Sequence, residues 1–332
     1  MNRDLALRFD LMRRSCQPTP TVQLPDDDLD LFVKLEYANP HGSAKDRAAL
    51  WILKQALERG DIDTDTTVVE SSSGNFAVAL AAICRALGVD FVPVIDPNVN
   101  ASTEALLRTL CDRVEKVDAT ERDGRFLEAR LARVRRLRAE LPEVYWTNQY
   151  GNVDAVEGHY RLTGGELLQA LRRIDYLFVG VGTAATIAGL SLRVKESSPH
   201  TRIIAVDAEG SVTFGGPVGR RRIPGIGSAV GAPLLRHALI DDVVIVPELD
   251  AAIACRELLR RYGVFAGGST GSVYAAVLSY FRARPHRRKP TVAFLAVDRG
   301  TGYADTIYDP DWVSRFLGGD AESPAIAQLA TA

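Results

Sequence analysis

The sequence predicts an α/β fold in which mainly parallel strands are covered on both faces by helices. Short apolar runs alternate along the chain with longer segments of helical periodicity. Strands that alternate with helices form parallel sheets, because each helix returns the chain to the start of the next strand. Such sheets bind ligands at the carboxyl ends of their strands, so we expect the chemistry in the turns found there.

The predicted elements follow from apolar runs and from apolar residues spaced three or four positions apart. The predicted strands are residues 31–35, 67–70, 91–95, 112–117, 176–179, 202–207, 242–246 and 291–296. The predicted helices are residues 48–58, 76–87, 102–110, 122–140, 250–262 and 273–283, and one more that ends at Val194. Gly60 is placed to end the first of these helices, since glycine is the usual residue after a helix.

The composition excludes several functional classes. The net charge of −2 gives no support for a nucleic-acid partner, and we interpret the arginine-rich helix 122–140 as a solvated face balanced by Glu128 and Glu140. The four cysteines are scattered without a C-x-x-C pair, so no metal site is predicted. Residues 1–14 lack the apolar core of a signal peptide, and no apolar run reaches membrane-spanning length. We therefore expect a cytoplasmic enzyme without a membrane partner.

Two motifs lie in the first half of the chain. Residues 39–47, N-P-H-G-S-A-K-D-R, follow a predicted strand and open a predicted helix. A partly desolvated lysine in this turn, Lys45, can lose its proton and act as a nucleophile. Residues 70–76, E-S-S-S-G-N-F, form a second turn from strand to helix. Backbone N–H groups at such a helix start can bind a carboxylate.

Two further motifs lie in the second half. Residues 180–186, G-V-G-T-A-A-T, satisfy a loose dinucleotide fingerprint through Gly180, Gly182 and Ala185, and Asp207 ends the next predicted strand. A nicotinamide dehydrogenase is therefore an alternative interpretation. Residues 265–272, F-A-G-G-S-T-G-S, precede a helix of small residues and place Ser269 in a glycine-rich turn. Scattered histidines give a Ser-His-Asp hydrolase little support.

These four motifs together resemble the fold-type II enzymes that depend on pyridoxal 5′-phosphate (PLP), a family that includes cysteine synthase and cystathionine β-synthase. The resemblance covers about residues 15–305, and residues 39–47 hold every fixed position of the family signature N-P-x-x-S-x-K-D-R. It implies two open, twisted, mainly parallel sheets flanked by helices, as in the tryptophan synthase β-subunit. It also implies a large PLP-binding domain of residues 1–45 and 153–317, a smaller mobile substrate domain of residues 46–152, and a flexible tail of residues 318–332.

The resemblance assigns roles to individual residues. It implies that Lys45 carries PLP and acts as the catalytic base, that Asn75 bonds the 3′-oxygen of PLP, and that Ser269 faces its ring nitrogen. A serine there makes the ring a weaker electron sink, which favours elimination at Cβ over transamination. The residues implied to bind the PLP phosphate are Gly182, Thr183, Ala184, Ala185 and Thr186, where two alanines replace the usual glycines. Those implied to contact the substrate carboxylate are Ser72, Ser73, Gly74, Phe76 and Gln149.

The segment after Gln149 departs from the sulfide-using members of the family, because Q-Y-G-N-V-D-A lacks the proline and second asparagine of Q-F-x-N-P-A-N. Residues 34–37, 206–215, 224–227, 265–272 and 298–300 resemble a narrower group within the family. That group joins O-phospho-L-serine to L-glutamate, releases phosphate and yields N-(2-amino-2-carboxyethyl)-L-glutamate, a precursor of L-2,3-diaminopropionate in siderophores and peptide natural products.

The narrower resemblance also implies partners and leaves alternatives. It implies small amino-acid substrates, a homodimer and a downstream NAD-dependent oxidase. Glutamate needs a cationic partner, and Arg221 is our candidate, although a solvated basic loop explains residues 220–222 as well. The alternatives are a cysteine synthase that uses sulfide with O-acetylserine or O-phosphoserine, and a cystathionine synthase. A catalytically silent binding protein is disfavoured because Lys45 and Asn75 are both present.

Overall fold

The computed structural model describes residues 3–118, 126–282, 284 and 288–318. Ten strands lie in this part of the chain: β1 Thr21–Leu24, β2 Asp30–Leu35, β3 Thr67–Ser71, β4 Asp90–Ile95, β5 Glu115–Lys116, β6 Val144–Trp146, β7 Tyr176–Gly180, β8 Arg202–Ala208, β9 Asp242–Val246 and β10 Thr291–Ala296. The α-helices described there are α1 Arg3–Arg13, α2 Lys45–Arg59, α3 Asn75–Leu87, α4 Ala101–Leu110, α5 Phe126–Glu140, α6 Asp154–Gly158, α7 Gly164–Ala170, α8 Ala185–Ser197, α9 Glu248–Tyr262, α10 Gly268–Arg282 and α11 Pro310–Leu317.

The chain divides into two compact units, and the smaller one holds Met1–Gln17 and Asn39–Gly158. Its sheet has the strand order β5-β4-β3-β6, and every pairing is parallel. One face of this sheet packs on α5 through Val134 and Leu137, both of which are fully buried. The helix α2 ends at Gly60, which has a left-handed backbone (φ 80°). Glycine adopts this conformation without strain because it has no side chain.

The larger unit holds Pro18–Ala38 and His159–Ala332. Its sheet has the order β1-β2-β10-β7-β8-β9, in which only β1 runs antiparallel to its neighbour. The buried rings of Phe178, Tyr274 and Phe294 lie in one apolar cluster, with the last two stacked at 5.9 Å between centroids. A short π-helical segment, His159–Thr163, precedes α7.

The predicted fold class is confirmed: both sheets are mainly parallel and flanked by helices. Several predicted elements differ in extent. The strand expected at residues 112–117 is reduced to Glu115–Lys116, because only these residues pair with the end of β4. The helix expected at residues 122–140 is observed from Phe126, since residues 122–125 lie outside the described part of the chain. The helices expected at residues 48–58 and 273–283 begin earlier, at Lys45 and Gly268. The sequence analysis gave no prediction for α1, α6, α7, α11, β1 or β6.

The observed units differ from the predicted domains at the N-terminus. Residues 1–45 were expected in the large domain, whereas Met1–Gln17 and the stretch from Asn39 belong to the smaller unit. The physical reason is that α1 packs on α3, where Arg8 Nη1 donates to the carbonyl of Leu87 at 3.2 Å. Of the predicted tail 318–332, only Gly318 lies within the described residues. No helix in the described ranges is long and apolar enough to cross a membrane.

Candidate active site

Lys45 is the first residue of α2, at the end of a tightly bonded turn. The turn passes through Gly42, which has a left-handed backbone (φ 86°) that glycine adopts without strain. The Asp46 carboxylate accepts the backbone N–H of His41 at 2.7 Å, and Ser43 Oγ accepts the N–H of Lys45 at 3.2 Å. These bonds use side chains of the motif itself to fix the backbone beside Lys45.

The Lys45 amine is partly removed from water. Desolvation by burial lowers its pKa to about 8, and the negative charge of Glu70 opposes this shift. Burial disfavours the ammonium form of a lysine, which is why the direction is downward. An amine with this pKa is neutral in about a tenth of molecules at pH 7, far more than an exposed lysine. Lys45 is therefore suited to react as a nucleophile and to exchange a proton.

The turn between β3 and α3 contains the predicted carboxylate-binding residues. Ser72 is buried, whereas Asn75, the first residue of α3, is exposed. Gly74 is the N-cap residue and has an extended backbone, so the start of α3 offers backbone N–H groups that have no partner inside the helix. The Phe76 side chain is buried in the core, so only its backbone is available to a ligand.

Gln149 is held against this turn by two hydrogen bonds. Its backbone N–H donates to Glu70 Oε2, and its side-chain Nε2 donates to the carbonyl of Ser71, each at 3.2 Å. Thr147 Oγ1 also donates to Glu70 Oε2, at 2.5 Å. The parallel pairing of β3 with β6 brings these residues together, since Val69 lies opposite Trp146. The smaller unit thus joins Gln149 to the turn of residues 71–76, as a shared site requires.

The structure adds Arg130 to this group, a residue that the sequence analysis did not single out. Its Nη1 donates to Ser73 Oγ at 2.8 Å and lies 3.1 Å from Asp96 Oδ2. Its side chain is only 12% exposed, and its Nε has no hydrogen-bond partner among the described residues. Spacing could have revealed it, because Arg130 lies four and seven residues before the buried Val134 and Leu137 on one face of α5.

In the larger unit, residues 182–186 lead from β7 into α8. Ala184 has a left-handed backbone (φ 70°) and caps α8, which begins at Ala185. A side chain at Gly182 would stand 3.1 Å from the carbonyl oxygen of Gly225, so the two segments approach closely. Thr186 Oγ1 lies 3.2 Å from Nε2 of the buried His159. A phosphate fits this helix start, because its N–H groups and dipole favour an anion.

Ser269 and Arg221 lie in the same unit. Ser269 is buried in the first turn of α10, and a Cβ on Gly225 would stand 3.5 Å from its Oγ. Arg221 Nη1 donates to the carbonyl of Ile226 at 3.0 Å. The fully buried Asp207 has a raised pKa because of desolvation, which Ser211 and Arg221 oppose. Through Ile226, Arg221 supports the turn of Gly225, which closely approaches Gly182 and Ser269.

The predicted site residues fall into two sets. The smaller unit holds the candidate reactive lysine, Lys45, with the candidate substrate residues Ser72, Ser73, Gly74, Asn75, Phe76 and Gln149. The larger unit holds the candidate phosphate and ring contacts, namely Gly182, Thr183, Ala184, Ala185, Thr186 and Ser269, together with Arg221. Both sets fit PLP: an amine of lowered pKa suits its aldehyde, and the start of α8 suits its phosphate. Across the described ranges, no group of three or more His, Cys, Asp or Glu could hold a metal ion.

Comparisons with known proteins identify the family. Residues 12–298 match the family described as pyridoxal-phosphate dependent enzyme. The chain is 42% identical over 304 residues to N-(2-amino-2-carboxyethyl)-L-glutamate synthase of Ralstonia nicotianae, covering 90% of this chain and 89% of the relative. It is 41% identical over 319 residues to the synthase of the same name from Cupriavidus metallidurans, covering 94% and 93%.

A solved structure agrees with this match. The O-acetylserine dependent cystathionine β-synthase of Helicobacter pylori superposes with a TM-score of 0.82 at 25% identity, covering 90% of this chain and 98% of that one. The nicotinamide dehydrogenase that the Gly180 motif suggested is not favoured by any of these matches. The chain belongs to the family of pyridoxal-phosphate dependent enzymes, with PLP as its cofactor.

Proposed function

We propose that the protein is a β-replacement synthase that joins O-phospho-L-serine to L-glutamate. In the net reaction the bond between Cβ of the serine and its phosphate oxygen breaks, and a bond from Cβ to the glutamate nitrogen forms. The products are phosphate and N-(2-amino-2-carboxyethyl)-L-glutamate. The names of the two relatives at 41–42% identity support this product, and so do the departures from the sulfide-using pattern after Gln149.

The observation that carries the choice of a phosphorylated substrate is Arg130, whose side chain is 12% exposed and lies beside Ser73. A guanidinium in low-dielectric surroundings binds a phosphate with several charge-assisted hydrogen bonds, whereas an acetyl ester offers only neutral acceptors. Asp96 neutralises part of this charge, but Nε, which has no hydrogen-bond partner among the residues described, leaves a donor for a ligand. Arg130 lies next to the turn proposed to bind the α-carboxylate of the same substrate.

The residues of the chain have the following proposed roles. When bound, PLP withdraws electrons from Cα of the amino acid and so makes its proton acidic. The Lys45 amine, whose pKa is lowered to about 8, accepts that proton and later returns it. The N–H groups at the start of α3 and the Gln149 amide hold the α-carboxylate, and this fixes which bonds at Cα and Cβ can react. Thr183, Thr186 and the start of α8 hold the cofactor phosphate, with Asn75 and Ser269 on its ring.

Arg221 is the proposed contact for the carboxylates of glutamate. Its Nη1 is used by Ile226, but its buried Nε has no hydrogen-bond partner in the part of the chain that the structure describes. A guanidinium with one nitrogen engaged in this way still has N–H donors that can bind a carboxylate.

The wider setting of the reaction is proposed as well. We propose a homodimer, and a downstream NAD-dependent oxidase that consumes the product on the way to L-2,3-diaminopropionate. The proposed location is the cytoplasm, and the four free cysteines accord with a reducing compartment. The larger unit is proposed as the PLP-binding domain and the smaller unit as the substrate domain, with the bounds given above in place of 1–45 with 153–317, and 46–152.

The test is a product assay with matched substrates. The purified PLP-loaded protein is incubated with O-phospho-L-serine or O-acetyl-L-serine, each with glutamate or sulfide, and products are identified by mass spectrometry. We expect the glutamate adduct and stoichiometric phosphate from O-phospho-L-serine and glutamate, and none from Lys45→Ala. Rapid formation of cysteine without a glutamate adduct would show a cysteine synthase instead.

A further inference from the structure

Glu70 is a charged residue in the smaller unit to which the proposed reaction gives no role. It is fully buried at the end of β3, one residue before the turn of residues 71–76. Its two oxygens accept three hydrogen bonds: Oε1 from the N–H of Ser71 at 2.8 Å, and Oε2 from Thr147 Oγ1 and the N–H of Gln149. A buried carboxylate is costly unless it is satisfied in this way.

The hydrogen bonds connect two segments that are far apart in sequence. Through Ser71, Glu70 orders the start of the turn proposed to bind the α-carboxylate. Through Thr147 and Gln149, it orders the segment that follows β6. The Gln149 amide then closes the link by donating to the carbonyl of Ser71 at 3.2 Å. Its Nε2 has two N–H groups, so one remains for a substrate.

The charges near Glu70 come from several elements. Burial raises the pKa of Glu70, and the three hydrogen bonds to its oxygens oppose this by favouring the ionised form. Burial lowers the pKa of Lys45, at the start of α2, and the negative charge of Glu70 opposes this. Burial raises the pKa of Tyr150; the charges of Glu70 and of Asp96, which follows β4, add to this rise, and Arg130 on α5 opposes it. Arg130 is itself paired with Asp96 at 3.1 Å.

We propose that Glu70 is a positioning residue, which holds Gln149 and the turn of residues 71–76 in register for the substrate's α-carboxylate. It touches no substrate itself. This inference rests on the proposed function, and the effect of the Glu70 charge on Lys45 is measured separately.

The first test separates hydrogen bonding from charge by three variants of the PLP-loaded enzyme. Glu70→Gln keeps the size of the side chain but has one acceptor oxygen, so it leaves either Ser71 N–H or Gln149 N–H without an acceptor. Thr147→Val removes one donor and keeps the charge, and Thr147→Ser is its matched control. We expect the KM for the serine substrate to rise about tenfold in E70Q and severalfold in T147V, and to change less than about twofold in T147S.

The second test measures Lys45 directly and needs no substrate. The full-length protein, freed of PLP, is labelled with acetic anhydride at a series of pH values, and modification of Lys45 is followed by peptide mass spectrometry. Removal of a nearby negative charge favours the neutral amine, so we expect Lys45 of E70Q to react about three times faster at pH 7 than in the wild type. T147V retains the charge and should follow the wild-type profile.

The outcomes are distinct. An E70Q enzyme with unchanged KM overturns the proposal, and unchanged labelling shows that the charge of Glu70 does not reach Lys45. If E70Q does not fold, equal KM values for T147V and T147S overturn it. The KM arm uses whichever β-substituted serine the wild type consumes, so a wrong assignment of the nucleophile leaves this test intact and is detected by the product assay alone.

Discussion

Arg130 donates a hydrogen bond of 2.8 Å to the hydroxyl of Ser73, and this places a partly buried guanidinium beside the turn that precedes α3. We expect Arg130→Met to lower kcat/KM for O-phospho-L-serine by about 10–100-fold, because a lost hydrogen bond to a charged group costs about 1.5–3 kcal/mol. The loss for O-acetyl-L-serine should be much smaller. Steady-state kinetics with both substrates measures the ratio.

Arg133 provides the control for this prediction. It lies one turn further along α5, is 17% exposed and bonds Glu115 and Glu140. Arg133→Met should leave kcat/KM for both substrates within about twofold of the wild type, because its ion-pair partners lie outside the turn of residues 71–76. Equal losses on the two substrates in R130M would contradict selection for phosphate and would assign Arg130 to support of the turn.

The lowered pKa of Lys45 predicts a pH-dependent cost in stability. Unfolded lysine titrates near 10.4 and folded Lys45 at about 8, so between these values the unfolded state binds more protons and stability rises with pH. Below pH 8 the full cost is present, about 3 kcal/mol at 1.36 kcal/mol per pH unit. We therefore expect PLP-free Lys45→Met to be more stable than the wild type at pH 7.

Urea unfolding of both proteins at pH 7 and pH 10 checks this expectation. The advantage of K45M should shrink towards pH 10, where the folded wild-type amine is neutral and the unfolded one has begun to lose its proton. Comparison of the two proteins cancels the contributions of buried tyrosines and cysteines, which titrate in the same range. A constant difference across this range would mean that Lys45 has an ordinary pKa.

The regular elements of the fold were predictable where hydrophobic periodicity is strong. The buried strands β7, β8 and β10 are continuous apolar runs, and α2 and α3 end at glycines, so local pattern and tertiary position agree. Strands β1 and β6 have only four and three residues, and β6 has no fully buried one. Their pairing with longer neighbours, rather than their own sequence, makes them strands.

The candidate site was predictable to the extent that its residues are contiguous in sequence. Lys45, Asn75 and Ser269 each lie in a motif whose spacing was visible in the sequence. Thr147 lies near the candidate site because β3 pairs with β6, and Arg130 because α5 packs on the sheet. Neither contact is marked by a motif in the sequence. Only the position of Arg130 on the buried face of α5 could have indicated it.

Ala184 and Ala185 form a matched pair for a test of backbone strain in the loop of residues 182–186, which is proposed to bind the PLP phosphate. Both are 3% exposed, but only Ala184 has a positive φ, 70°. Glycine at position 184 relieves a strain of about 1–2 kcal/mol, which offsets the lost methyl burial of about 0.8 kcal/mol and the added entropy of the unfolded chain. We expect Ala184→Gly to be nearly neutral.

Glycine at position 185 relieves no strain, because this residue begins α8 in a helical conformation. Ala185→Gly should therefore destabilise the protein by about 1–2 kcal/mol, the sum of lost burial and lost helix propensity. Denaturant unfolding of the two PLP-free variants gives the comparison. Equal free energies of unfolding for the two variants would show that the backbone at Ala184 is not strained.

Thr186 lies in the same loop and links it to His159, with 3.2 Å between Oγ1 and Nε2, while His159 Nδ1 lies 3.0 Å from Thr163 Oγ1. Thr186→Val keeps the shape of the side chain but removes its hydroxyl, both as a candidate phosphate donor and as the contact with His159. We expect the Kd for PLP to rise about tenfold, which corresponds to about 1.4 kcal/mol. Thr186→Ser retains the hydroxyl and should bind PLP within about twofold of the wild type. Fluorescence titration of the PLP-free proteins measures both values, and equal affinity of T186V and T186S would assign phosphate binding to the backbone N–H groups of α8 alone.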